Sequence, residues 1–141
     1  MSEKKYKIGY TTGVFDMFHI GHLNILRRAK EQCEYLIVGV STDELCYRRK
    51  GKYPIISETD RKSIVEAIRY VDRVVDQTDM NKSRAVDLYH ADVVFVGTDW
   101  QGTPEWEAYE KEFAKQGCSV VYLPHTDSIS STVLREKINQ L

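Results

Sequence analysis

Runs of consecutive apolar residues alternate along the chain with segments whose apolar residues recur every three or four positions. Continuous runs are typical of strands covered on both faces of a sheet, and the longer spacing is typical of helices with one buried face. The pattern predicts strands at residues 8–12, 35–40, 73–76, 92–97 and 119–123. It predicts helices at residues 21–33, 60–69, 83–89, 104–115 and 130–138, and loops at residues 42–59 and 99–103.

This alternation of strands and helices predicts an α/β fold with a mostly parallel central sheet and right-handed crossovers. The length of 141 residues fits one domain, so residues 1–141 are expected to form a single unit. In open sheets of this kind, ligands bind outside the carboxyl ends of the strands. The residues that follow the predicted strands are therefore the first candidates for chemistry.

Composition limits the classes of protein to which this chain could belong. Twenty basic residues nearly cancel 21 acidic ones, which gives a formal charge of −1 and argues against a nucleic-acid partner. Three widely spaced cysteines, Cys33, Cys46 and Cys118, indicate reduced thiols rather than a disulfide framework. There is no apolar run of the roughly 20 residues that a membrane span needs, and no signal-peptide core at the start. We expect a soluble, cytoplasmic protein with no membrane partner.

Two histidines lie where the first strand gives way to the first helix. His19 and His22 are three positions apart, so they are neighbours on the first helical turn. The start of a helix attracts anions, and Gly21 between them lets a phosphate approach the backbone. A pair of this spacing alone more often indicates a metal site or two surface histidines. The strand before and the helix after favour a phosphate site.

Hydroxyl-bearing residues precede the last predicted helix, at Ser128, Ser130, Ser131 and Thr132. Helix capping requires only one of them, and phosphate contacts would use several, so both interpretations stay open. Residues 48–52 contain four cations after the second strand. They fit a solvated charge run or a flexible basic lid over a polyphosphate, with Arg61 and Lys62 in the same electrostatic neighbourhood.

Asp99 and Trp100 follow the fourth predicted strand. The carboxylate suits Mg²⁺ or a sugar hydroxyl and the indole suits a pocket wall, although a turn with an aromatic cover explains both residues as well. The P-loop and dinucleotide fingerprints are absent, and there is no clear nucleophile with an adjacent base.

Two of these segments carry a family resemblance. Residues 13–22, GVFDMFHIGH, resemble the G-x-F-D-x-x-H-x-G-H signature of the cytidylyltransferase-like nucleotidyltransferases. Residues 129–132, ISST, resemble the second signature of that family. Further similarities at residues 41–44, 68–72, 99–100 and 121–124 are shared most closely with bacterial members that use glycerol 3-phosphate. The resemblance covers nearly the whole chain.

The resemblance implies a Rossmann-like three-layer sandwich, usually a homodimer. The implied reaction transfers a cytidylyl group from CTP, with Mg²⁺ on the triphosphate, to glycerol 3-phosphate. The products are pyrophosphate and CDP-glycerol for teichoic-acid-like or capsular polymers. Phosphocholine, phosphoethanolamine and other polyol phosphates remain alternative acceptors, and adenylyl transfer from ATP remains an alternative reaction. Rival hypotheses from other classes are a nucleotide sensor without catalysis and a metal hydrolase.

The resemblance also implies roles for individual residues, with no metal ligand assigned to the protein. The implied catalytic residues are His19, His22 and Lys52. The implied nucleotide-binding residues are Thr12, Gly13, Val14, Phe15, Gly21, Asp99, His125, Thr126, Ile129, Ser130, Ser131 and Thr132. The implied acceptor-binding residues are Asp16, Lys50, Arg61 and Trp100.

The chain departs from the family pattern at three places. His125 stands where close relatives carry an arginine, and it replaces the permanent charge and planar fork of that residue only in part. Val14 stands where threonine is frequent, and the helix around residues 106–115 is longer than expected. These departures concern the choice of acceptor more than the reaction.

Overall fold

The structure, a computed structural model, describes residues 4–126 and 131–141. In these ranges the strands are β1 (Tyr6–Gly13), β2 (Cys33–Ser41), β3 (Arg73–Gln77), β4 (Val93–Gly97) and β5 (Ser119–Leu123). The helices are α1 (Ile20–Gln32), α2 (Asp43–Lys50), α3 (Glu58–Glu66), α4 (Lys82–Tyr89), α5 (Pro104–Lys115) and α6 (Ser131–Asn139). A short 3₁₀ turn, Thr98–Trp100, follows β4.

The strands form one sheet in the order β3-β2-β1-β4-β5, and every pairing is parallel. The chain runs outward from β1 through β2 to β3 and then crosses to β4 on the other side of β1. The connections that leave β1 and β4 therefore diverge, which opens a crevice at the carboxyl ends of these two strands. The predicted α/β fold with a mostly parallel sheet is confirmed.

Helices cover both faces of this sheet. On one face, Leu26 of α1 and Val65 of α3 pack with Val38 of β2 in a buried apolar cluster. On the other face, Phe113 of α5 packs in a second cluster with Val94 of β4. Alternate residues of the central strands thus point into two separate cores, which gives the three layers that the resemblance implied.

The prediction of a loop at residues 42–59 is wrong for its first half, which forms α2. The Thr42 hydroxyl accepts a hydrogen bond from the Leu45 amide at 3.1 Å and caps the helix start. Gly51 ends the helix in the left-handed conformation, with φ at 73°. Only Leu45 and Cys46 are buried on α2, so a helical spacing of apolar residues is hardly visible there. Cys33, predicted as the last residue of α1, instead begins β2.

The three cysteines are free, as predicted, and all three are buried. Burial raises the pKa of Cys33 to about 11 and that of Cys118 to about 12, so both thiols stay protonated at neutral pH. Across the described ranges, no helix is both long enough and apolar enough to cross a bilayer.

Candidate active site

A cavity of about 340 Å³ lies at the carboxyl ends of β1 and β4, where the strand order predicts a crevice. Its size falls in the range of small-molecule sites. Residues 11–16 form one wall, at the end of β1 and in the loop that follows it. The opposite wall comes after β4 and β5, from Gly97, Asp99, Trp100 and His125. We call this space the main cavity.

His19 and His22 cap the start of α1 with their own side chains. The His19 amide donates to Nδ1 of His22 at 3.1 Å, and the Gly21 amide donates to Nδ1 of His19 at 3.0 Å. The two rings stack with their centroids 3.9 Å apart. A neutral imidazole that accepts at Nδ1 carries its proton on Nε2. Both histidines therefore present an Nε2–H donor on the side of the ring away from the cap.

Both imidazoles are neutral at physiological pH. The pKa of His22 is lowered to about 4, mainly by burial and also by the neighbouring His19 ring, against an opposing effect of Asp16. Burial also lowers the pKa of His19. Nε2 of His19 is buried and has no hydrogen-bond partner within the described ranges. A buried donor without a partner is costly, and a phosphate oxygen is an acceptor of the right kind.

The loop between β1 and α1 is strained. Phe15 and Met17 adopt the left-handed backbone conformation, with φ at 55° and 49°. Each costs about 1 kcal/mol or more for a residue other than glycine. This turn requires glycine at position 13, because a Cβ there would clash with the Phe15 ring at 2.9 Å. The bend leaves the backbone of residues 13–15 along the main cavity, where the resemblance places nucleotide contacts.

Asp16, expected to bind the acceptor, is 2% exposed and already engaged. Its carboxylate accepts hydrogen bonds from the amides of Ile55 and Ile56, both at 2.9 Å, and from Nη2 of Arg135 at 2.6 Å. Burial raises its pKa, but these hydrogen bonds outweigh burial and hold the pKa below the usual range. Asp16 lies on the cavity wall, and the structure gives it the role of fastening the loop before α3 and helix α6 to the site.

Arg61 lies beneath the site rather than in it, which corrects the expectation that it contacts the acceptor. The residue is 1% exposed. Its guanidinium donates to the carbonyls of Val14, Ser41 and Ile56 at 2.7, 2.8 and 2.9 Å. It also forms an ion pair of 2.6 Å with Asp43. All three guanidinium nitrogens are thus used to join α3 to β2, α2 and the loop after β1.

Residues 48–52, interpreted as a solvated charge run or as a flexible basic lid, form the last turn of α2 and the residues after it. Arg48, Arg49 and Lys50 end the helix, where cations interact favourably with the negative end of the helix dipole. Arg48 donates to the Thr78 carbonyl at 2.7 Å, away from the site. Lys50 borders the main cavity. Helix α2 therefore fixes the positions of Arg48, Arg49 and Lys50.

A second cavity, of about 160 Å³, adjoins the main one. Lys50, Lys52 and Arg135 border it, together with Thr132 at the start of α6. Three cations surround this small space, and one of them, Arg135, also pairs with Asp16. Lys52, predicted to be catalytic, lies here rather than on the main cavity. We call this space the cationic cavity.

Asp99 and His125 face each other across the opening of the main cavity. Nε2 of His125 lies 2.8 Å from Oδ1 of Asp99. A Cβ on Gly97 would lie 2.7 Å from that oxygen and 2.9 Å from Nε2, so glycine is required for this approach. His125, at the position of the usual arginine, thus contacts a carboxylate of its own chain. Trp100 lies beside the pair on the cavity wall, as predicted.

The remaining predicted residues divide into three groups. Thr12 and Thr132 border the main cavity. Thr126 accepts a hydrogen bond from Asn24 at 2.8 Å and is absent from the main cavity wall, as is Gly21, whose amide serves the helix cap. Ile129 and Ser130 lie outside the described residues, and so does the side chain of Ser131.

Sequence reasoning missed a third cavity, of about 140 Å³, on the other side of Thr12. We call it the side cavity; its charged residues are Arg49, Lys82 and Glu105, and Trp106 forms an apolar wall. Lys82 is 6% exposed, and its Nζ lies 3.4 Å from the Thr12 hydroxyl. Burial lowers the pKa of Lys82 to about 8.

Two of the missed residues had a signal in the sequence. Lys82 opens the helix that follows β3, at the same edge of the sheet as the other site residues. Arg135 lies three positions after Thr132 on the last helix, which places the two side chains on one helical face. Arg135 lies inside a predicted helix and Lys82 directly precedes one, although neither belongs to a run of unusual residues.

Comparison with known proteins decides the family. A family model described as cytidylyltransferase-like matches residues 10–137. A glycerol-3-phosphate cytidylyltransferase of Bacillus subtilis (strain 168) is 40% identical over 129 residues, which span 91% of this chain and 94% of the relative. The chain belongs to the cytidylyltransferase-like family. The resemblance drawn from residues 13–22 and 129–132 is therefore confirmed.

A second relative and a solved structure agree with this membership. The glycerol-3-phosphate cytidylyltransferase of Staphylococcus aureus (strain NCTC 8325 / PS 47) is 38% identical, over 91% of this chain and 92% of the relative. Among solved structures, a lipopolysaccharide core biosynthesis protein from Thermoplasma volcanium superposes with a TM-score of 0.70 at 28% identity. That match covers 86% of this chain and 97% of the other. The fold, the signatures and the relatives all indicate a nucleotidyltransferase.

Proposed function

We propose that this protein transfers the cytidylyl group of CTP to glycerol 3-phosphate and forms CDP-glycerol and pyrophosphate. The observation that carries the proposal is the histidine pair at the start of α1. Each ring uses Nδ1 to cap the helix and presents Nε2–H as a donor, and Nε2 of His19 is buried without a partner in the described residues. Two curated relatives that span nearly all of this chain carry the name of this activity.

The reaction requires no nucleophile from the protein. A phosphate oxygen of the acceptor attacks the α-phosphorus of CTP, and the bond from that phosphorus to the bridging oxygen of the β-phosphate breaks. Catalysis then consists of positioning and of stabilising the charge that moves towards the leaving group. The Nε2–H donors of His19 and His22 suit oxygens of the reacting phosphates. The cationic cavity, with Lys50, Lys52 and Arg135, suits the pyrophosphate that leaves.

The side cavity suits the acceptor. It shares Thr12, Val14 and Trp100 with the main cavity, so a molecule bound there borders directly on the nucleotide. Lys82 and Arg49 supply two positive charges for the acceptor's phosphate group. The phosphate must face the main cavity in order to attack, and the rest of the acceptor must then extend towards α5.

We infer that Mg²⁺ comes to the site with the triphosphate. Within the described ranges, no group of three or more histidine, cysteine or acidic side chains is arranged to hold a metal ion. The two carboxylates of the main cavity, Asp16 and Asp99, already contact Arg135 and His125. The metal would neutralise charge on the phosphates, and the histidines and lysines of the chain would supply the protein's own contacts to them.

Pyrophosphate release tests the proposal. Purified protein with CTP, Mg²⁺ and glycerol 3-phosphate should release pyrophosphate and form CDP-glycerol at equal rates. Phosphocholine and phosphoethanolamine, supplied in place of glycerol 3-phosphate, should give much lower kcat/KM values. No release above background with glycerol 3-phosphate would rule out the proposed function, and faster turnover of another acceptor would reassign it.

A homodimer and a supply of CDP-glycerol to teichoic-acid-like or capsular polymers remain predictions from the family resemblance, and a cytoplasmic location remains a prediction from the composition. Light scattering during size-exclusion chromatography should give twice the mass of the chain if the dimer forms. A mass equal to one chain, at micromolar concentration, would contradict that prediction.

A further inference from the structure

Among the described residues, one carboxylate borders the side cavity, and it has no assigned role. Glu105, the second residue of α5, lies on the cavity wall beside Trp106. No hydrogen bond or ion pair within 4 Å is found for it in the described residues, although it acts electrostatically on Lys82. Its oxygens are therefore available to a ligand, at the end of the cavity formed by α5.

Lys82 and Glu105 border the same side cavity. Nζ of Lys82 lies 3.4 Å from the hydroxyl of Thr12, a residue that the side cavity shares with the main cavity. The same ammonium lies 5.8 Å from the centre of the Trp106 ring, and Trp106 directly follows Glu105 in α5. A ligand that places its phosphate beside Lys82 can therefore direct its other end towards Glu105.

A carboxylate accepts hydrogen bonds and donates none, so it suits hydroxyl groups at that end of the ligand. We propose that Glu105 binds the hydroxyl groups of the acceptor and thereby selects polyol phosphates over phosphate esters with other tails. This inference rests on the proposed function, because it assigns the acceptor's tail to the side cavity. Glu105 is a specificity-determining residue in this account, not a catalytic one.

A cationic tail such as that of phosphocholine would also be attracted to a carboxylate and to the aromatic rings of Trp100 and Trp106. A quaternary ammonium has no N–H or O–H, so it cannot donate a hydrogen bond to the Glu105 carboxylate. It is also bulkier than a hydroxyl group, in a cavity of about 140 Å³. Hydroxyl groups supply the hydrogen bonds that the carboxylate accepts.

Glu105→Gln and Glu105→Ala test the inference, with Glu107→Gln as the matched control. Both glutamates lie in the first turn of α5, so each substitution removes the same favourable interaction with the helix dipole. Glu107 is absent from the walls of the side, main and cationic cavities. The acceptors are glycerol 3-phosphate, propyl phosphate, which has the same carbon chain without hydroxyls, and phosphocholine.

We expect Glu105→Gln to raise the KM for glycerol 3-phosphate about 10-fold, the factor expected for loss of a charge-assisted hydrogen bond. Glu105→Ala should raise it further. The KM for CTP and the kcat/KM for propyl phosphate should stay within about two-fold of the wild-type values, so the preference for glycerol 3-phosphate over propyl phosphate falls. Glu107→Gln should preserve that preference.

Three outcomes would overturn the inference while the proposed function stands. One is an unchanged preference in both Glu105 variants. Another is an equal loss with glycerol 3-phosphate and propyl phosphate, which would show that Glu105 acts only through the phosphate-binding lysine. The third is a comparable loss in Glu107→Gln. Wild-type protein that turns over no acceptor, or that prefers phosphocholine, would instead remove the proposed function and this inference together.

Discussion

The imidazole rings of His19 and His22 each have two nitrogens with different partners. In both rings Nδ1 accepts a hydrogen bond from a backbone amide, and these two hydrogen bonds close the first turn of α1. Protonation of Nδ1 would remove the acceptor and break the cap, so the cap itself favours the neutral ring. The same contact that starts the helix thereby fixes the proton of each ring on Nε2.

Replacing His19 separates these two roles. An asparagine oxygen can take the place of Nδ1 as the helix cap, but asparagine has no group at the position of Nε2. We expect His19→Asn to lower kcat about 100-fold or more, the loss typical of one donor to the transition state, with the Kd for CTP little changed. Steady-state kinetics and calorimetric titration with CTP measure the two quantities.

His19→Ala should lose activity to the same degree and should also lose about 1 kcal/mol of stability, because it removes the cap. His90→Asn is the control, since His90 is an exposed histidine at the end of α4 and asparagine also accepts its left-handed backbone. Equal losses of kcat and of CTP affinity in His19→Asn would contradict a catalytic role and favour a sensor that only binds nucleotide.

The depressed pKa of His22 predicts a specific loss of stability in acid. The pKa is about 4 in the folded chain and about 6.5 in the unfolded chain, so the unfolded chain takes up the proton first as the pH falls. The contribution of His22 is complete above pH 6.5 and is lost progressively between pH 6.5 and pH 4. Melting temperatures recorded across this range should therefore fall.

The variant His22→Asn keeps an acceptor for the His19 amide and has no titrating ring. Its melting temperature should fall less steeply than that of the wild type between pH 6.5 and pH 4, and the difference between the two curves isolates His22 from the carboxylates. Parallel curves would show that His22 is not held neutral by burial.

Arg61 joins secondary-structure elements rather than binding substrate. It connects α3 to the end of β2, to α2 and to the loop after β1, and its side chain is inaccessible to solvent. Removal of one partner from a buried pair leaves unpaired polar groups behind. We expect Arg61→Met to lower the free energy of unfolding by about 3–5 kcal/mol, measured by urea denaturation.

Arg61→Lys should fall between Arg61→Met and the wild type, because lysine keeps the charge but not the planar fork. The neighbouring Lys62 is the control. It pairs with Asp76 at 2.8 Å on a partly exposed surface, so Lys62→Met should cost at most about 1 kcal/mol. A loss of that size in Arg61→Met would show that the buried guanidinium does not hold these elements together.

Sequence reasoning succeeded for elements with a strong apolar period and failed for α2. Helix α5 and strand β5 have the predicted bounds because Trp106, Phe113 and their neighbours bury one clear face. Helix α2 is short and mostly exposed, and its evidence in the sequence is a capping threonine and a terminal glycine. Capping signals without an apolar period indicate a helix only weakly.

At the scale of the whole molecule, ligand binding should be visible as stability. A ligand that binds only the folded chain stabilises it by mass action, by about 2.7 kcal/mol at a concentration 100 times its Kd. We expect CTP with Mg²⁺ to raise the melting temperature by several degrees, and ATP at the same concentration to raise it much less. An equal or larger rise with ATP would favour adenylyl transfer instead.

The sheet edge also explains how much of the site the sequence could reveal. Residues 12–16, Asp99 and His125 lie together because each follows a parallel strand, and strand ends are visible in the apolar pattern. The apolar pattern does not reveal the partners of those residues. Arg135 contacts Asp16 across a separation of 119 positions in the sequence, and Lys82 contacts Thr12 across a separation of 70 positions. Local patterns carry no information about such pairs.

The two histidines that cap α1 have a consequence for how such a chain can evolve. A descendant that lost its catalytic task would still need acceptors for the amides of His19 and Gly21, so mutations at these positions would be removed by selection for folding alone. A retained histidine pair in a relative is therefore weaker proof of activity than it looks. A pair of substitutions that keeps the cap, such as asparagine at both positions, would be the clearest evidence of a lineage that has lost catalytic activity.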